Sequence, residues 1–403
     1  MARKRKADDD PTTRKKIKLE PADVTALKER LALGGDGTLT GTRGDGNFYA
    51  RFVNMGQGDC IVLATPAGKT VVVDCGSSRT DDGLSDNYLK LFAYHNLFAD
   101  RFLSTAHPQV DILILTHCDK DHFNKLDSVM KLHDADVSVV DIYHSRELHK
   151  YGKGARDWIQ SNQTGTEWWV VCNEDTDGRG STTLRCRTPN DRDYQPYTIV
   201  ANVVPHLDPD GGIRIHTEAD CTITILASGV DEDYAVDGDT RDGNNRASVV
   251  TLVEVFGKKL LLCGDATRST EEYLMTESTS AEKYETRLSG VDVVHVAHHG
   301  SGNTSSSDAF VELLAPTDRA LISAGKVGDP AYGLPSRSVV QRYHTQFQGD
   351  GVTAPAHDVW SWPNGIITPS SAQSLTTPVY STGSIVPQPL TATQLDITWT
   401  KPA

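Results

Sequence analysis

Four side chains that can bind metal ions lie within six positions, in the segment T-H-C-D-K-D-H-F at 116–123. They are His117, Asp119, Asp121 and His122. The preceding residues, V-D-I-L-I-L, predict a buried β-strand that ends at Leu115. Because side chains of a tight loop at a strand end converge on one point, this spacing favours a metal centre. An Asp/His-rich surface turn is the alternative.

Two more polar clusters follow apolar, β-rich runs. Gly264-Asp265 ends L-L-L-C-G-D, and His298-His299-Gly300-Ser301 ends V-D-V-V-H-V-A-H-H-G-S. A carboxylate at a strand end can bridge two cations, as hydrolytic dinuclear sites require. Each cluster alone fits a cap or a turn. Three clusters at the carboxyl ends of strands form the expected layout of an α/β active site.

Composition divides the chain into four segments. Residues 1–21 form a basic tail predicted to be disordered, and 22–47 hold a short helix and a linker. Residues 48–348 hold the β-rich runs and all three polar clusters and are predicted to form the main domain, in which the polar, turn-rich stretch at about 144–220 is predicted to be an insertion outside the core. Residues 349–403 are a Pro/Ser/Thr-rich extension that closes with a predicted edge strand.

Within the domain, short β-rich runs alternate with turns and helical patterns. The runs begin at Phe48 and return after the insertion at Thr222. Helical spacing is seen at 85–98, directly after His122, at 306–314 and at 336–347. The predicted class is therefore α/β.

Charge and cysteine content restrict the function classes. The formal net charge is -14, although residues 1–20 carry eight Lys/Arg against four acids. An acidic body argues against a simple DNA-binding protein, because phosphates are attracted by clustered cations. Seven cysteines without a C-x-x-C pair indicate reduced thiols. We find neither a membrane-length apolar run nor a signal peptide, so a cytoplasmic protein is expected, or a nuclear one if the chain is eukaryotic.

The order H-x-D-x-D-H, G-D, H-H-G-S resembles the metallo-β-lactamase superfamily. Within it, the pattern is most similar to the hydrolase domain of the DNA-uptake protein ComEC and its stand-alone relatives. N-M-G-Q-G-D-C at 54–60, V-V-V-D-C-G at 71–76 and N-N-R-A-S-V-V at 244–250 carry the same resemblance. It implies an αβ/βα sandwich, two mixed sheets flanked by helices, with the metal site along one edge. Asp59 and Asp74 are then structural residues near the site.

The resemblance also implies a ligand set. His117 and Asp119 would bind a first metal, and Asp265 would bridge it to a second. The second would be bound by Asp121, His122 and one of His298 or His299, of which His298 is favoured because it comes first after the strand. Asn245 stands where many relatives have a third histidine and would contact substrate or bind weakly. Oxygen-rich ligands suit Mn²⁺ or Mg²⁺, and the imidazole-richer second position suits Zn²⁺ or Mn²⁺.

The implied chemistry is hydrolysis of a phosphodiester by a metal-activated hydroxide. Asp121 and Asp265 would anchor the metals, and His299 would protonate the leaving oxygen. Ser301 and Asn303 precede a helical pattern and would either hold a phosphate or serve as helix caps. The chain has Leu334 before Pro335 where ComEC-type relatives tend to have histidine.

Two other functions remain open. The acidic body and Leu334 favour hydrolysis of a small ester, lactone or thioester at the same metals. The third alternative is a non-catalytic binding module that keeps a metal for structure. The expected partners are a nucleic acid or nucleotide substrate and, as a further option, an activating protein; the oligomeric state is left open.

Overall fold

The computed structural model describes residues 43–402 with internal gaps. The longest gaps are 78–89, 174–181, 188–194, 197–205, 231–242, 325–333, 349–357 and 367–393. The predicted tail, the helix at 22–32 and most of the helix at 85–98 therefore lie outside the described residues.

The first sheet has nine strands in the order β18-β1-β2-β3-β4-β5-β6-β7-β8. Their bounds are β1 Phe48–Val53, β2 Cys60–Ala64, β3 Thr70–Cys75, β4 Gln109–Leu115, β5 Ser138–His144, β6 Trp168–Asn173, β7 Thr182–Arg187, β8 Gln195–Pro196 and β18 Gln394–Trp399. The pairs β3–β4, β4–β5 and β5–β6 are parallel and the other pairs are antiparallel. The sheet is therefore mixed.

The second sheet has the order β17-β16-β15-β14-β13-β12-β11-β10-β9. Its strands are β9 His206–Leu207, β10 Ile213–Glu218, β11 Cys221–Ala227, β12 Val250–Val255, β13 Lys258–Leu262, β14 Val293–His295, β15 Arg319–Ile322, β16 Asp358–Ser361 and β17 Gly365–Ile366. Strands β13 to β16 run parallel, so their carboxyl ends share one edge. The first sheet likewise has the ends of β3, β4 and β5 on one edge.

Helices cover the outer faces of both sheets. They are α1 Lys120–Phe123, α2 Leu126–Met130, α3 Lys153–Asn162, α4 Gly243–Arg246, α5 Arg268–Thr276, α6 Ala281–Leu288, α7 Asp308–Leu314 and α8 Arg337–Gln348. One apolar cluster fills the space between the sheets, with Ile112 facing Ile223 and Leu260 among its members. Two further apolar clusters, one for each sheet, lie between the sheet and its helices. The predicted αβ/βα sandwich of two mixed sheets flanked by helices is confirmed.

Residues 144–220 contribute more to the fold than we expected. Helix α3 packs on β5, and its Trp158 and Ile159 are buried in the core of the first sheet. Strands β6 to β8 extend that sheet, and β9 and β10 extend the other. The expectation that this stretch lies outside the core is wrong, because its apolar side chains recur at a spacing that buries one helix face.

The C-terminal strand closes the free side of β1. Strand β18 pairs antiparallel with β1, and Trp399 stacks on Phe48 with ring centroids 5.4 Å apart. Arg51 donates two hydrogen bonds to Asp396, at 2.6 and 2.9 Å. Across the described residues, no helix is long and apolar enough to span a membrane.

Candidate metal centre

The carboxylate of Asp265 is the centre of a histidine cluster. Its Oδ1 lies 3.3 Å from Nε2 of His122, and its Oδ2 lies 3.7 Å from Nε2 of His117 and 3.4 Å from Nε2 of His299. Asp265 follows β13, His117 follows β4, and His299 follows β14. Both sheets therefore deliver ligands to one point at their carboxyl edges.

The cluster contains ligand atoms that no other described residue satisfies. Among the described residues, Nε2 of His117, His122 and His299 and Oδ1 of Asp265 are buried without a hydrogen-bond partner of acceptable geometry. Buried polar groups are normally satisfied, since an unpaired group costs about 1–3 kcal/mol. Four such atoms facing each other fit a divalent cation, which takes imidazole nitrogen and carboxylate oxygen as ligands.

Asp121 adds a second carboxylate on the side of His299. Its Oδ2 lies 3.6 Å from Nε2 of His299, and the two residues can share an ion with His122. A second group of mutually close atoms is formed by His117, His122 and Asp265. The two groups share His122, and Asp265 lies within 3.4 Å of His299 in the first group, so the cluster offers donors for two adjacent ions.

Asp74 lies behind His122 and fixes its ring. Oδ2 of Asp74 lies 2.8 Å from Nδ1 of His122, and the carboxylate also accepts hydrogen bonds from the backbone N–H and hydroxyl of Thr116. With Nδ1 bonded to a carboxylate, Nε2 is the nitrogen left for a metal. Asp59 stands beside this pair, its Oδ2 3.7 Å from Nδ1 of His122. Both predicted structural residues lie next to the cluster.

Glycine turns hold the peptide that carries Asp121 and His122. A Cβ on Gly76 would lie 2.3 Å from the carbonyl carbon of Asp121, so only glycine fits without displacing that backbone. The N–H of Asp59 donates to the Asp121 carbonyl at 3.3 Å, and the N–H of Gly76 to that of Asp59 at 2.9 Å. The motifs G-Q-G-D and D-C-G therefore form a support for the metal loop.

His299, rather than the favoured His298, lies next to the other candidate ligands. His299 points into the cluster, and its Nδ1 donates to the carbonyl of Ser323 at 2.7 Å. His298 Nε2 lies 4.0 Å from Asp265 but 3.0 Å from Nδ2 of Asn245. Both histidines have left-handed backbone angles, φ 51° and 52°. Of the two histidines left open for the second metal, the distances favour His299 as the candidate ligand.

Asp119 and Asn245 lie at the rim of the cluster. Oδ1 of Asp119 accepts a hydrogen bond from Asn244 at 2.9 Å, and Asp119 belongs to none of the close ligand groups among the described residues. Asn245 contacts His298, which also lies 2.8 Å from Thr304 through its Nδ1. The structure places Asn245 against a histidine at the edge of the centre.

The chain turns directly after His299, and Ser301 and Asn303 lie in this turn. The N–H of Ser301 donates to the carbonyl of His298 at 2.9 Å, while Asn303 is exposed. Helix α7 begins later, and Ser307 caps it by accepting from the N–H of Phe310. Neither Ser301 nor Asn303 is therefore the helix cap.

Opposite charges inside the cluster shift its pKa values strongly. Burial would raise the pKa of Asp265, but His299 and His122 outweigh burial and hold it well below the usual range. Burial would lower the pKa of His299, but Asp265 and Asp121 raise it to about 9. Burial, with the charge of His122, lowers the pKa of His117 to about 3. His117 is therefore neutral without a cation, whereas His299 would have to release its proton when a cation binds.

Comparison with known proteins gives a match between part of this chain and one family model. Residues 53–195 match the model of the metallo-beta-lactamase superfamily. The chain has the metallo-β-lactamase fold. The match begins in β1 and covers the loop with His117, Asp119, Asp121 and His122. No curated protein matches the sequence.

Solved metallo-β-lactamase-fold structures resemble the chain distantly. YhfI from Bacillus subtilis is 11% identical over 79% of this chain and 98% of its own, with a TM-score of 0.35. Human tRNase Z, short form, is 12% identical over 68% and 92%, with a TM-score of 0.36. CmlA, a diiron beta-hydroxylase from Streptomyces venezuelae, is 12% identical over 76% of this chain, with a TM-score of 0.33. The chain spans about half of CmlA, 51% of its length. At these values no activity transfers to this chain.

Sequence reasoning missed three residues that support the candidate metal centre. Thr116 bonds Asp74, Ser323 bonds His299, and Ser248 Oγ accepts from the N–H of Asp265 at 3.1 Å. Ser248 belongs to the N-x-x-S motif, so its role had a signal in the sequence. Thr116 and Ser323 had none beyond their positions after β4 and β15.

Proposed function

We propose that this protein is a metal-dependent phosphodiesterase or nuclease of the ComEC type, acting through a dinuclear centre. The observation that carries the proposal is the set of buried, unpartnered ligand atoms around Asp265. Together with Asp121 and Asp119, this set combines three carboxylates with three imidazoles. We expect Mn²⁺ or Zn²⁺, with Mg²⁺ as a third candidate, because carboxylates favour harder ions and imidazoles favour zinc.

The protein residues have separate tasks in this proposal. Asp265 would contribute to both cation positions, His117 and Asp119 would complete one of them, and Asp121, His122 and His299 would complete the other. When bound, two divalent cations supply an activated hydroxide and stabilise negative charge at phosphorus. Asp74 keeps His122 oriented through its Nδ1. We assign His298 and Asn245 to substrate, because the two are hydrogen-bonded to each other and His298 is only half-buried.

The substrate side of the proposal rests on chemistry. Phosphodiesters gain most from a pair of cations, since charge builds up on both the attacked phosphorus and the leaving oxygen. With a net charge of -14, the protein relies on bound cations to attract a polyanion. We propose a nucleic acid or nucleotide as substrate and the cytoplasm as location, and we leave room for an activating protein partner.

The test is cleavage of labelled single- and double-stranded DNA and RNA by the full chain with Mn²⁺, Mg²⁺ or Zn²⁺. Asp265→Asn removes the bridging charge and should abolish cleavage, while Asp292→Asn, which precedes β14 at the amino end, should not. A wild-type protein that is inert on every polymer with every metal contradicts the nuclease proposal. Hydrolysis of small esters, lactones and thioesters would then be measured. If wild type and Asp265→Asn are equally inactive on these substrates, the protein is better described as a binding module.

A further inference from the structure

His295 is a buried histidine next to the candidate metal centre but outside its ligand groups. It is the last residue of β14, only 2% exposed, and its ring stacks on Phe52 with centroids 5.8 Å apart. Its spacing from the other histidines does not suggest a ligand, so the sequence favours a core histidine. Its contacts give it a more specific role.

Both contacts of His295 are made by one nitrogen atom. Nε2 lies 3.3 Å from Oδ1 of Asp59 and 3.0 Å from Oγ of Ser323. Nδ1 is buried and has no hydrogen-bond partner in the part of the chain that the structure describes. A carboxylate neighbour favours the tautomer with hydrogen on Nε2, so His295 donates to Oγ of Ser323 and lies in ion-pair contact with Asp59.

These two neighbours lie behind the two histidines that face the same metal position. The other oxygen of Asp59 is 3.7 Å from Nδ1 of His122. The carbonyl of Ser323 accepts from Nδ1 of His299 at 2.7 Å. His295 thus connects, through one intermediate on each side, the backs of His122 and His299.

Charge compensation gives a reason for a histidine at this position. Asp59 and Asp74 are both buried beside the ring of His122, and two adjacent buried carboxylates repel each other. Burial would raise the pKa of Asp59, yet His295 and then His122 outweigh burial and lower it. An apolar residue at 295 would leave Asp59 without its partner on that side.

We propose that His295 is a positioning residue of the metal centre, which holds Asp59 and Ser323 so that His122 and His299 direct their Nε2 atoms at one ion. The inference rests on the proposed metal function. Partners behind metal-binding histidines fix the tautomer and orientation of the ring, and their loss typically weakens metal binding by about 10–100-fold.

The experiment measures Mn²⁺ affinity of the full chain by calorimetry after metal removal with a chelator. His295→Gln keeps an N–H donor near the Nε2 position, whereas the shorter amide of His295→Asn does not reach it. We expect His295→Asn to weaken binding by about 10–100-fold and His295→Gln to retain most of it. Ser323→Ala removes the hydroxyl but keeps the carbonyl bonded to His299, so a smaller loss is expected.

Controls separate positioning from a general loss of stability. His216→Gln, on β10 beside Glu218, is a matched change away from the centre and should bind Mn²⁺ like the wild type. The midpoint of thermal unfolding, measured for each variant, shows whether a variant with weaker Mn²⁺ binding is also less stable. Wild-type affinity in a folded His295→Asn, or equal losses in the Gln and Asn variants, overturns the positioning role. A wild-type protein that binds neither Mn²⁺ nor Zn²⁺ overturns the proposed function itself.

Discussion

Nδ1 of His122 lies 2.8 Å from Oδ2 of Asp74, and both side chains are fully buried. The hydrogen bond fixes the ring so that Nε2 faces Asp265 at 3.3 Å. Asp74 itself has a left-handed backbone with φ 55°, a conformation that only a few residue types besides glycine tolerate. Asparagine is one of these residue types, so Asp74→Asn tests the carboxylate charge without changing the backbone conformation.

We expect Asp74→Asn to lower Mn²⁺ affinity by about tenfold or more, because the amide keeps the backbone but loses the charge that polarises His122. Asp74→Ala should lose more, since alanine adds backbone strain. Calorimetric titration of the metal-free protein measures both. Asp111→Asn is a buried aspartate control on the same sheet, bonded to Arg43 and Lys69, and should leave the affinity unchanged. Equal affinities of wild type and Asp74→Asn would contradict the assigned role.

Removal of metal should destabilise the protein. The centre buries the charges of Asp265 and Asp121 near each other, and a cation that binds only the folded state stabilises it by mass action. At free metal about 100 times the dissociation constant, that gain is about 2.7 kcal/mol. We expect a chelator to lower the midpoint of thermal unfolding by several degrees in the wild type. In Asp265→Asn the midpoint should barely respond, and a full response there would argue against metal at Asp265.

The position of the centre follows from sequence more readily than its internal arrangement. Apolar runs predict strands, and parallel strands bring their carboxyl ends to one edge, which places His117, His122 and Asp265 together. The choice of His299 over His298 was not predictable in this way. Both residues have positive φ, which no local pattern around H-H-G-S indicates.

Supporting residues were harder still to predict. The alternation of side chains along β14 indicates only on which face of the sheet His295 lies. It does not reveal that the side chain meets Asp59, a carboxylate from the turn before β2. Helix α3 was missed because a polar, turn-rich composition on both sides concealed one apolar face, that of Trp158 and Ile159. In each case a distant contact, rather than local spacing, determines the role.

Close backbone packing at Gly76 gives a third prediction. A Cβ there would lie 2.3 Å from the carbonyl of Asp121, so Gly76→Ala must displace the peptide that precedes His122. We expect the variant to be less stable and to lose Mn²⁺ affinity, as measured by chemical unfolding and calorimetry. Gly290→Ala is the matched control, with φ 68° and no neighbouring atom within 4 Å of the added Cβ. It should cost about 1 kcal/mol of stability from backbone strain alone and bind Mn²⁺ normally. Normal Mn²⁺ binding by Gly76→Ala would contradict the prediction.

Glu271 anchors the loop that follows His299. It is a fully buried residue of helix α5, and its carboxylate accepts hydrogen bonds from the backbone N–H groups of Ser306 and Ser307. Burial raises the pKa of Glu271 to about 7, against the opposing effect of these hydrogen bonds and of Arg268. Since an unfolded glutamate titrates near 4.5, protonation is favoured in the folded state, and stability is coupled to pH.

The sign of that coupling follows from the raised value. Between pH 4.5 and 7 the folded state binds more protons than the unfolded state, so the free energy of unfolding falls as pH rises. The stability that Glu271 contributes is therefore complete below pH 4.5 and is lost as pH rises through 7. Glu271→Gln is a neutral isostere that removes this titration. We expect the difference in unfolding free energy between wild type and Glu271→Gln to change by about 3 kcal/mol from pH 4.5 to 8, with the wild type losing stability relative to the variant. Urea unfolding in the presence of a chelator measures it without metal effects. A pH-independent difference would show that the Ser306 and Ser307 hydrogen bonds keep the carboxylate ionised in the folded protein.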